Sequence, residues 1–339
     1  MTNIVSMTSD QKQKLFTRAA LTTGMSPIVI EKDYWVVWAL WRLFEQKDLR
    51  PYLTFKGGTS LSKIYNVIKR FSEDIDISIE KGFFGFGGEN APEHASSRKK
   101  RSVVLENLST ACSKYIKTDL LELLIRDFEK HLGNRQGWNL RIDTADPDQQ
   151  TILFDYPTTD QSNTGYIRRY VKMEMGARSE HWPVSEKKIR SYVKTQFRDA
   201  VEEPEITIRV LDIERTFWEK LTILHAYTHL PDDKKLPSRH ARHYYDTYCL
   251  LKSGVKEKAA TDLDLLARVA QHKMTYFAST WSHFETAVKG TLRLVPQQHL
   301  SASLKSDYTA MSTMFFEDPP AWNTIIETIA QFEKEFNGQ

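Results

Sequence analysis

The sequence contains little cysteine and no long apolar run, and both absences narrow the class of protein. Its 339 residues include only Cys112 and Cys249, too few for a disulfide framework or an all-cysteine zinc site. The longest apolar stretch begins at Tyr34 and is interrupted at Arg42, well short of the roughly 18 residues that indicate a membrane span. The N-terminus lacks a basic segment followed by an apolar one. We therefore expect a soluble, cytoplasmic protein.

The sequence also lacks the short motifs of several enzyme classes. The glycine-rich stretch 82–88 contains neither the dinucleotide fingerprint nor the lysine of a phosphate loop. There is no Gly-x-Ser-x-Gly, which disfavours a serine hydrolase. There is also no His-Glu-x-x-His, which weakens the case for a zinc or di-metal phosphohydrolase. The charges nearly balance, with 47 basic and 44 acidic residues. Basic residues nevertheless cluster at 98–101, 168–198 and 234–242, either as solvated faces or as a surface for a polyanion.

A change of pattern along the chain predicts two domains. The length alone favours roughly two. Strand patterns alternate with helical ones in the first part of the chain, whereas every convincing pattern after Asp212 is helical. This order favours an α+β domain over residues 1–205, followed by a helical domain over 206–339. The predicted strands are 52–55, 75–79, 138–144, 150–156 and 167–175; the predicted helices are 9–22, 27–44, 60–67, 98–132, 213–228, 239–251, 263–292, 300–314 and 321–336.

The sharpest chemical signal is a pair of aspartates on a predicted strand. Side chains alternate faces along a strand, so Asp74 and Asp76 share one face, while Ile75, Ile77 and Ile79 share the other. The isoleucine face suits a hydrophobic core, but two adjacent carboxylates repel each other. A divalent cation relieves that repulsion, and magnesium takes one or two carboxylates together with phosphate oxygens.

A glycine bend precedes this strand and supplies the second half of the signal. The run Lys56-Gly57-Gly58-Thr59-Ser60 stands where a strand turns into a helix. Backbone N–H groups at such a bend, unobstructed by side chains, can bind phosphates. A phosphate cradle beside a carboxylate pair predicts phosphoryl or nucleotidyl transfer.

Glu174 is the candidate for a third carboxylate. In the strand 170–175 the apolar residues fall on one face, which leaves Lys172 and Glu174 on the other. On a neighbouring strand, Glu174 could help to bind the metal and accept the proton of an attacking hydroxyl. A surface ion pair between Lys172 and Glu174 is the alternative.

Downstream, two helical segments carry charged residues in positions that need partners. Lys220 falls on the apolar stripe of its helix, where it requires a triphosphate or Asp246 as a partner, unless it extends to solvent. Arg239, Arg242 and Asp246 share one face of the next predicted helix. They indicate either a binding face or a plain ion pair between Arg242 and Asp246.

Taken in order, these motifs resemble the AbiEii/AbiGii toxin family of nucleotidyltransferases, part of the DNA polymerase β-like superfamily. The resemblance covers most of the chain from about residue 30. It rests on Glu31-Lys32-Asp33-Tyr34-Trp35, Gly57-Gly58-Thr59-Ser60-Leu61, Ser72 with Asp74-Ile75-Asp76, Glu219-Lys220-Leu221, the segment 239–246 and the tail 314–320.

The resemblance implies a polymerase β-like α+β domain with a mixed sheet, and a C-terminal helical domain that contributes to the active-site cleft. It implies a bacterial toxin of a toxin–antitoxin or abortive-infection system with a cognate antitoxin. Such an enzyme transfers a nucleoside monophosphate from a nucleoside triphosphate, with Mg²⁺ or Mn²⁺, to a hydroxyl on RNA such as tRNA. Carried over to this sequence, the implied metal ligands are Asp74, Asp76 and Glu174. The implied nucleotide-binding residues are Gly57, Gly58, Thr59, Ser60, Ser72, Lys220 and Arg242, and Lys220 and Asp246 form the downstream active-site pair.

Two other functions stay open at this stage. Four histidines, His225, His229, His240 and His243, have spacings that could form the metal site of a phosphohydrolase. The same fold could also serve a non-catalytic module that only binds a nucleotide or RNA.

Overall fold

The computed structural model describes residues 2–133, 135–159, 167–203 and 205–339. The chain divides into two compact units. The first unit contains the residues up to Ile64 and those from Phe71 to Val210; the second contains Tyr65–Arg70 and Leu211–Gln339. The predicted α+β class with a mixed sheet is confirmed. Separate roles for residues 1–205 and 206–339 stay a prediction.

The first unit is built on a mixed sheet with helices. Its helices are α1 (Ser9–Thr23), α2 (Pro27–Phe44), α3 (Gly57–Lys63), α4 (Arg98–Tyr115), α5 (Leu121–Leu132) and α6 (Tyr192–Gln196). Its strands are β1 (Thr2–Asn3), β2 (Leu53–Lys56), β3 (Asp74–Ile79), β4 (Asn139–Ile142), β5 (Thr151–Asp155), β6 (Tyr170–Gly176), β7 (Val184–Ile189), β8 (Val201–Glu202) and β9 (Ile206–Leu211).

Within the described residues, seven strands form one sheet in the order β4-β5-β6-β3-β2-β9-β7. Strand β3 runs parallel to β6 and antiparallel to β2, so the sheet is mixed. The strands β7 and β9 were missed by the sequence analysis. Three of the six side chains of β7 are exposed and only one is buried, which leaves little apolar alternation to detect. Strand β9 lies where the domain boundary was expected.

Helix α2 begins as predicted and packs into the core of this unit. Ser26 caps it by accepting the N–H of Val29, with Pro27 in the first turn. The rings of Trp35 and Trp38 pack against Phe154 of β5. The apolar side of α2 therefore covers the sheet, and the isoleucines of β3 are buried as expected.

The second unit is helical in the part of the chain that the structure describes after Leu211. Its helices are α7 (Ile213–Tyr227), α8 (Ala241–Lys252), α9 (Val255–Ala259), α10 (Leu263–Tyr276), α11 (Gln298–Ala310) and α12 (Trp322–Asn337). The helix predicted over 263–292 ends at Tyr276. A following run of serine and threonine, in which the Ser282 hydroxyl donates to the carbonyl of Ser279, favours local side-chain bonds over helix.

No helix of the described chain combines the length and the apolar character that crossing a bilayer requires.

Candidate active site

The carboxylates of β3 lie on one face of the sheet, as the alternation predicts. Ile75 and Ile77 are at most 1% exposed, whereas Asp74 and Asp76 are half-buried. Asp76 stands opposite Glu174 of β6 in the register. Since paired residues of neighbouring strands point to the same side, the structure brings all three predicted carboxylates to one face.

Lys56, which the sequence analysis did not assign to the site, is the residue opposite Asp76 on β2. Its side chain therefore shares the carboxylate face and adds a positive charge there. Pairing between β2 and β3 was not readable from either strand alone, so no signal in the sequence marked this lysine.

Gly57 lies directly against the carboxylate of Asp76. Its φ is +79°, and a Cβ at this position would lie 1.9 Å from Asp76 Oδ2 and 2.5 Å from Asp76 Cγ. Only glycine accommodates both the left-handed backbone and this approach. The helix α3 begins at Gly57, three residues earlier than predicted, because the two glycines form its first turn. The glycine bend and strand β3, which carries Asp74 and Asp76, thus form one site.

The hydroxyls near the bend are used inside the protein. Thr59 donates from Oγ1 to the carbonyl oxygen of Asp74 at 2.5 Å and lies 3.0 Å from Ser72 Oγ. Ser60 donates to the carbonyl of Gly57 at 2.8 Å. Both Thr59 and Ser60 are fully buried. The Thr59 side chain holds the bend to β3, and that of Ser60 bonds within the bend. Any phosphate contact at these two residues therefore falls to backbone N–H groups.

Glu174 forms an ion pair with Lys172 on its own strand. Burial lowers the pKa of Lys172, but the hydrogen bond and charge of Glu174 outweigh burial, so that the pKa is raised overall. Both side chains are about one third exposed. The ion pair between Lys172 and Glu174 that the sequence offered as an alternative is therefore formed. Glu174 stands beside Asp76, and Lys172 balances its negative charge.

The carboxylates of this face could hold a magnesium ion with the help of phosphate oxygens. Among the described residues, no group of three or more His, Cys, Asp or Glu side chains is arranged to hold a metal ion. The predicted set of Asp74, Asp76 and Glu174 is thus not a ready-made three-carboxylate site. Two aspartates on one face, completed by phosphate oxygens, remain the kind of site that Mg²⁺ uses with nucleotides.

The second unit contains a buried cluster of charges around Asp246. Arg70 donates from Nε and Nη2 to the two carboxylate oxygens of Asp246, at 2.8 and 2.9 Å. Lys220 donates to Oδ2 of the same residue at 2.8 Å. The structure thus brings Lys220 and Asp246 together and adds Arg70, which the sequence analysis missed. Arg70 is 176 residues away from Asp246 along the chain, so no local pattern could have revealed it.

The charges of this cluster shift one another's pKa. Burial raises the pKa of Asp246, but the charges of Arg70 and Lys220 outweigh burial and hold it below its usual range. Burial lowers the pKa of Lys220 despite its bond to Asp246. His243 lies 3.3 Å from the Lys220 ammonium. Burial and that ammonium lower the pKa of His243 well below its usual value, so its neutral ring accepts a hydrogen bond from Lys220.

The predicted face of Arg239, Arg242 and Asp246 is not formed. Helix α8 begins at Ala241, and Arg239 precedes it with a φ of +61°. The backbone N–H groups of Arg239 and Ala241 donate to Asp307. Asp246 binds Arg70 and Lys220, and neither bond involves Arg242. Arg242 stays half-buried near enough for its charge to lower the pKa of Lys220 and His243.

Of the four histidines that could have formed a second metal site, His225 has a structural role. The backbone N–H of Arg293 donates to His225 Nδ1 at 3.0 Å, and Nε2 of the same ring lies 3.0 Å from the carbonyl of His283. Both ring nitrogens of His225 are therefore occupied, one as acceptor and one as donor. Among the described residues no group of three or more His, Cys, Asp or Glu side chains is arranged to hold a metal, so the structure gives the phosphohydrolase alternative no support.

Comparison with known families decides the class of enzyme. Residues 38–331 match the sequence model of the nucleotidyl transferase AbiEii toxin family of type IV toxin–antitoxin systems. The chain belongs to the AbiEii family. As an AbiEii nucleotidyltransferase toxin it is an enzyme, so the non-catalytic alternative is set aside. The resemblance seen in the sequence motifs is confirmed.

The AbiEii protein also shares its fold with a solved toxin. It is similar to MenT4, a nucleotidyltransferase toxin from Mycobacterium tuberculosis H37Rv, with a TM-score of 0.54 and 17% identity. The match covers 98% of this chain and 91% of MenT4. At this identity the likeness shows the fold alone. Among curated protein sequences, none matches the AbiEii chain.

Proposed function

We propose that this AbiEii toxin transfers a nucleoside monophosphate from a nucleoside triphosphate to a hydroxyl of an RNA acceptor, with Mg²⁺ or Mn²⁺. The observation that carries the proposal is the contact between the glycine bend and the aspartates of strand β3. Gly57 touches the carboxylate of Asp76, and Asp74 lies on the same face. A cation bound by the two aspartates thereby adjoins the N–H groups that receive phosphate.

The reaction follows from this arrangement. The acceptor oxygen forms a bond to the α-phosphorus, and the bond to the bridging oxygen breaks, so that pyrophosphate leaves with the electron pair. Asp74 and Asp76 bind the cation, which supplies charge stabilisation when bound. Gly57 and Gly58 offer N–H groups to the triphosphate. Glu174 is the candidate acceptor of the hydroxyl proton. Once it has taken up that proton, its carboxyl group is neutral and the ion pair with Lys172 is lost.

The residues of the second unit stay candidates for roles in the same reaction. Lys220 keeps an excess of positive charge, because Asp246 shares its single negative charge between Lys220 and Arg70. We assign to Lys220, with Arg242, the neutralisation of the triphosphate charge. Asp246 then serves to hold the Lys220 ammonium in place.

A polar groove in the first unit supports an RNA acceptor. The groove has a volume of about 640 Å³ and is lined by hydroxyl and ammonium groups. Such groups are the ones that contact nucleic-acid phosphates. Gln150, the residue after the groove residue Gln149, donates to the carbonyl oxygen and the hydroxyl of Ser109 at 3.1 Å. Its lining residues are Ser109, Thr110, Ser113, Lys114, Lys117, Thr118, Pro147, Asp148 and Gln149.

The test is a labelling reaction with purified protein, magnesium, total RNA and each of the four labelled nucleoside triphosphates in turn. We expect one triphosphate to label RNA, and Asp76→Ala to abolish labelling. Asp155→Ala is the matched control, because Asp155 is a carboxylate of the same sheet that pairs with Arg141 at the surface. Labelling that survives Asp76→Ala contradicts the mechanism. Labelling of protein instead of RNA contradicts the proposal that the acceptor is RNA.

The cationic groove predicts that RNA binding weakens as salt is raised. Lys114→Ala with Lys117→Ala should reduce the slope of affinity against salt and raise the KM for RNA, while the KM for the triphosphate stays unchanged. An affinity that is equal at low and high salt contradicts this role. The family also implies a cognate antitoxin, and co-expression with the neighbouring antitoxin gene should restore growth to cells that produce the toxin.

A further inference from the structure

Three consecutive charged residues are buried in the second turn of helix α2. Glu31, Lys32 and Asp33 are at most 4% exposed. Successive residues of a helix point about 100° apart, so the three side chains reach different elements. Glu31 accepts the N–H of Thr159 at 2.7 Å. The other two contact the elements that form the candidate active site.

Lys32 joins the starts of two strands. Its ammonium donates to Glu73 Oε2 at 2.6 Å and to the carbonyl oxygen of Arg168 at 2.7 Å. Glu73 immediately precedes Asp74 on β3, and Arg168 lies two residues before β6, the strand of Glu174. Because β3 and β6 are parallel neighbours, both starts lie at the same edge of the sheet. One ammonium therefore sets the position of the two strands that carry the carboxylates.

Asp33 holds the end of the helix that begins at the glycine bend. Its Oδ1 lies 2.6 Å from the Nζ of Lys63, the last residue of α3. Its Oδ2 accepts the backbone N–H of Tyr192 at 2.6 Å. Since α3 has only seven residues, fixing Lys63 at one end restricts where Gly57 lies at the other.

Stability does not explain why these charges are buried. Desolvation offsets most of the attraction in a buried ion pair, and replacing both partners by uncharged residues of similar size is often neutral or stabilising. The same helix offers a comparison pair, because Arg42 binds Asp127 of α5 at 2.5 and 2.7 Å. The hydrogen bonds and ion pairs described for Arg42 and Asp127 stay within α2, α5 and Gln46 just after α2.

We propose that Lys32 and Asp33 are positioning residues of the nucleotidyl transfer: Lys32 aligns the carboxylates of β3 and β6, and Asp33 places the glycine bend of α3. The inference rests on the proposed function. It assigns a purpose to Lys32 and Asp33 of the Glu31-Lys32-Asp33 motif.

The test compares three double variants that remove a buried ion pair at nearly constant volume. These are Lys32→Met with Glu73→Gln, Asp33→Asn with Lys63→Met, and, as the matched control, Arg42→Met with Asp127→Asn. Each protein is tested for its melting temperature, for kcat and KM with the triphosphate, and for the magnesium concentration that gives half-maximal activity.

The expected results separate the two roles. The Lys32 variant should keep its melting temperature but lose about 10- to 100-fold in kcat and need more magnesium, as is usual when residues behind metal ligands are replaced. The Asp33 variant should mainly raise the KM for the triphosphate. The control should match the wild type in all three measurements.

Each other outcome overturns the inference. A folded Lys32 variant with wild-type kcat and magnesium requirement shows that the pair does not align the carboxylates. Failure of both site variants to fold, while the control folds, shows that the pairs serve stability instead. A wild-type protein that transfers no nucleotide contradicts the proposed function itself, and this result is distinguishable because it does not depend on any variant.

Discussion

Replacing Gly57 with alanine tests the contact on which the candidate site depends. The substitution adds a single methyl group at a backbone φ of +79°. An alanine in this left-handed conformation costs about 1–2 kcal/mol of stability. The new Cβ would also lie 1.9 Å from Asp76 Oδ2, so the carboxylate must withdraw by about 1 Å, and a misplacement of that size can cost about 100-fold in rate.

Gly24→Ala is the matched control for this prediction. Gly24 ends helix α1 with a φ of +72°, and nothing lies within 4 Å of a Cβ built there. It should therefore show the same loss of stability with unchanged activity. The measurements are the free energy of unfolding in urea and kcat/KM for nucleotide transfer. If Gly57→Ala retains as much activity as Gly24→Ala, Asp76 does not act from the position seen here and the reasoning is refuted.

Three further predictions concern charged groups. Although burial raises the pKa of Asp246, its two cationic partners hold it below 3.8, so its stabilising effect is complete above that pH and is lost progressively as the pH falls from 3.8 through the lowered pKa. Asp246→Asn should therefore cost about 3–5 kcal/mol at pH 7 and less at pH 3 in urea titrations; an equal loss at both contradicts this. Burial lowers the pKa of His225 to about 4, so stability should fall from pH 6.5 to 4, and His225→Gln should reduce that slope in thermal unfolding. Glu174→Gln should reduce kcat less than Asp76→Ala, because Lys172 already balances the Glu174 charge; equal losses in the labelling assay would instead make Glu174 indispensable.

The carboxylate face was predictable because it depends on local periodicity. Alternation along a strand has a period of two, so the order of aspartate and isoleucine in 74–79 determines which side chains meet the core. The same reasoning placed Glu174 on the outward face of β6. It could not decide whether Glu174 pairs with Lys172 or binds a metal, because that choice depends on rotamers and on neighbouring strands.

The start of a helix was predicted well where capping residues mark it, as Ser26 and Pro27 do for α2. It was predicted poorly where no side chain caps the helix. Helix α8 shows the second case. The sequence suggests a start at Arg239, but the backbone N–H groups there bind Asp307, which comes from a distant helix. A contact of this kind moves the start by two residues and removes the predicted basic face.

The amino-acid sequence by itself determined the alternation of β3, the glycines of the bend and the family motifs, because each is written in residues that are neighbours along the chain. Only the tertiary structure decided the partners of the buried charges. Lys32 meets Arg168 across 136 residues, and Arg70 meets Asp246 across 176. Charged side chains become buried only beside a partner of opposite charge or a suitable polar group, and which partner arrives depends on how the whole chain folds.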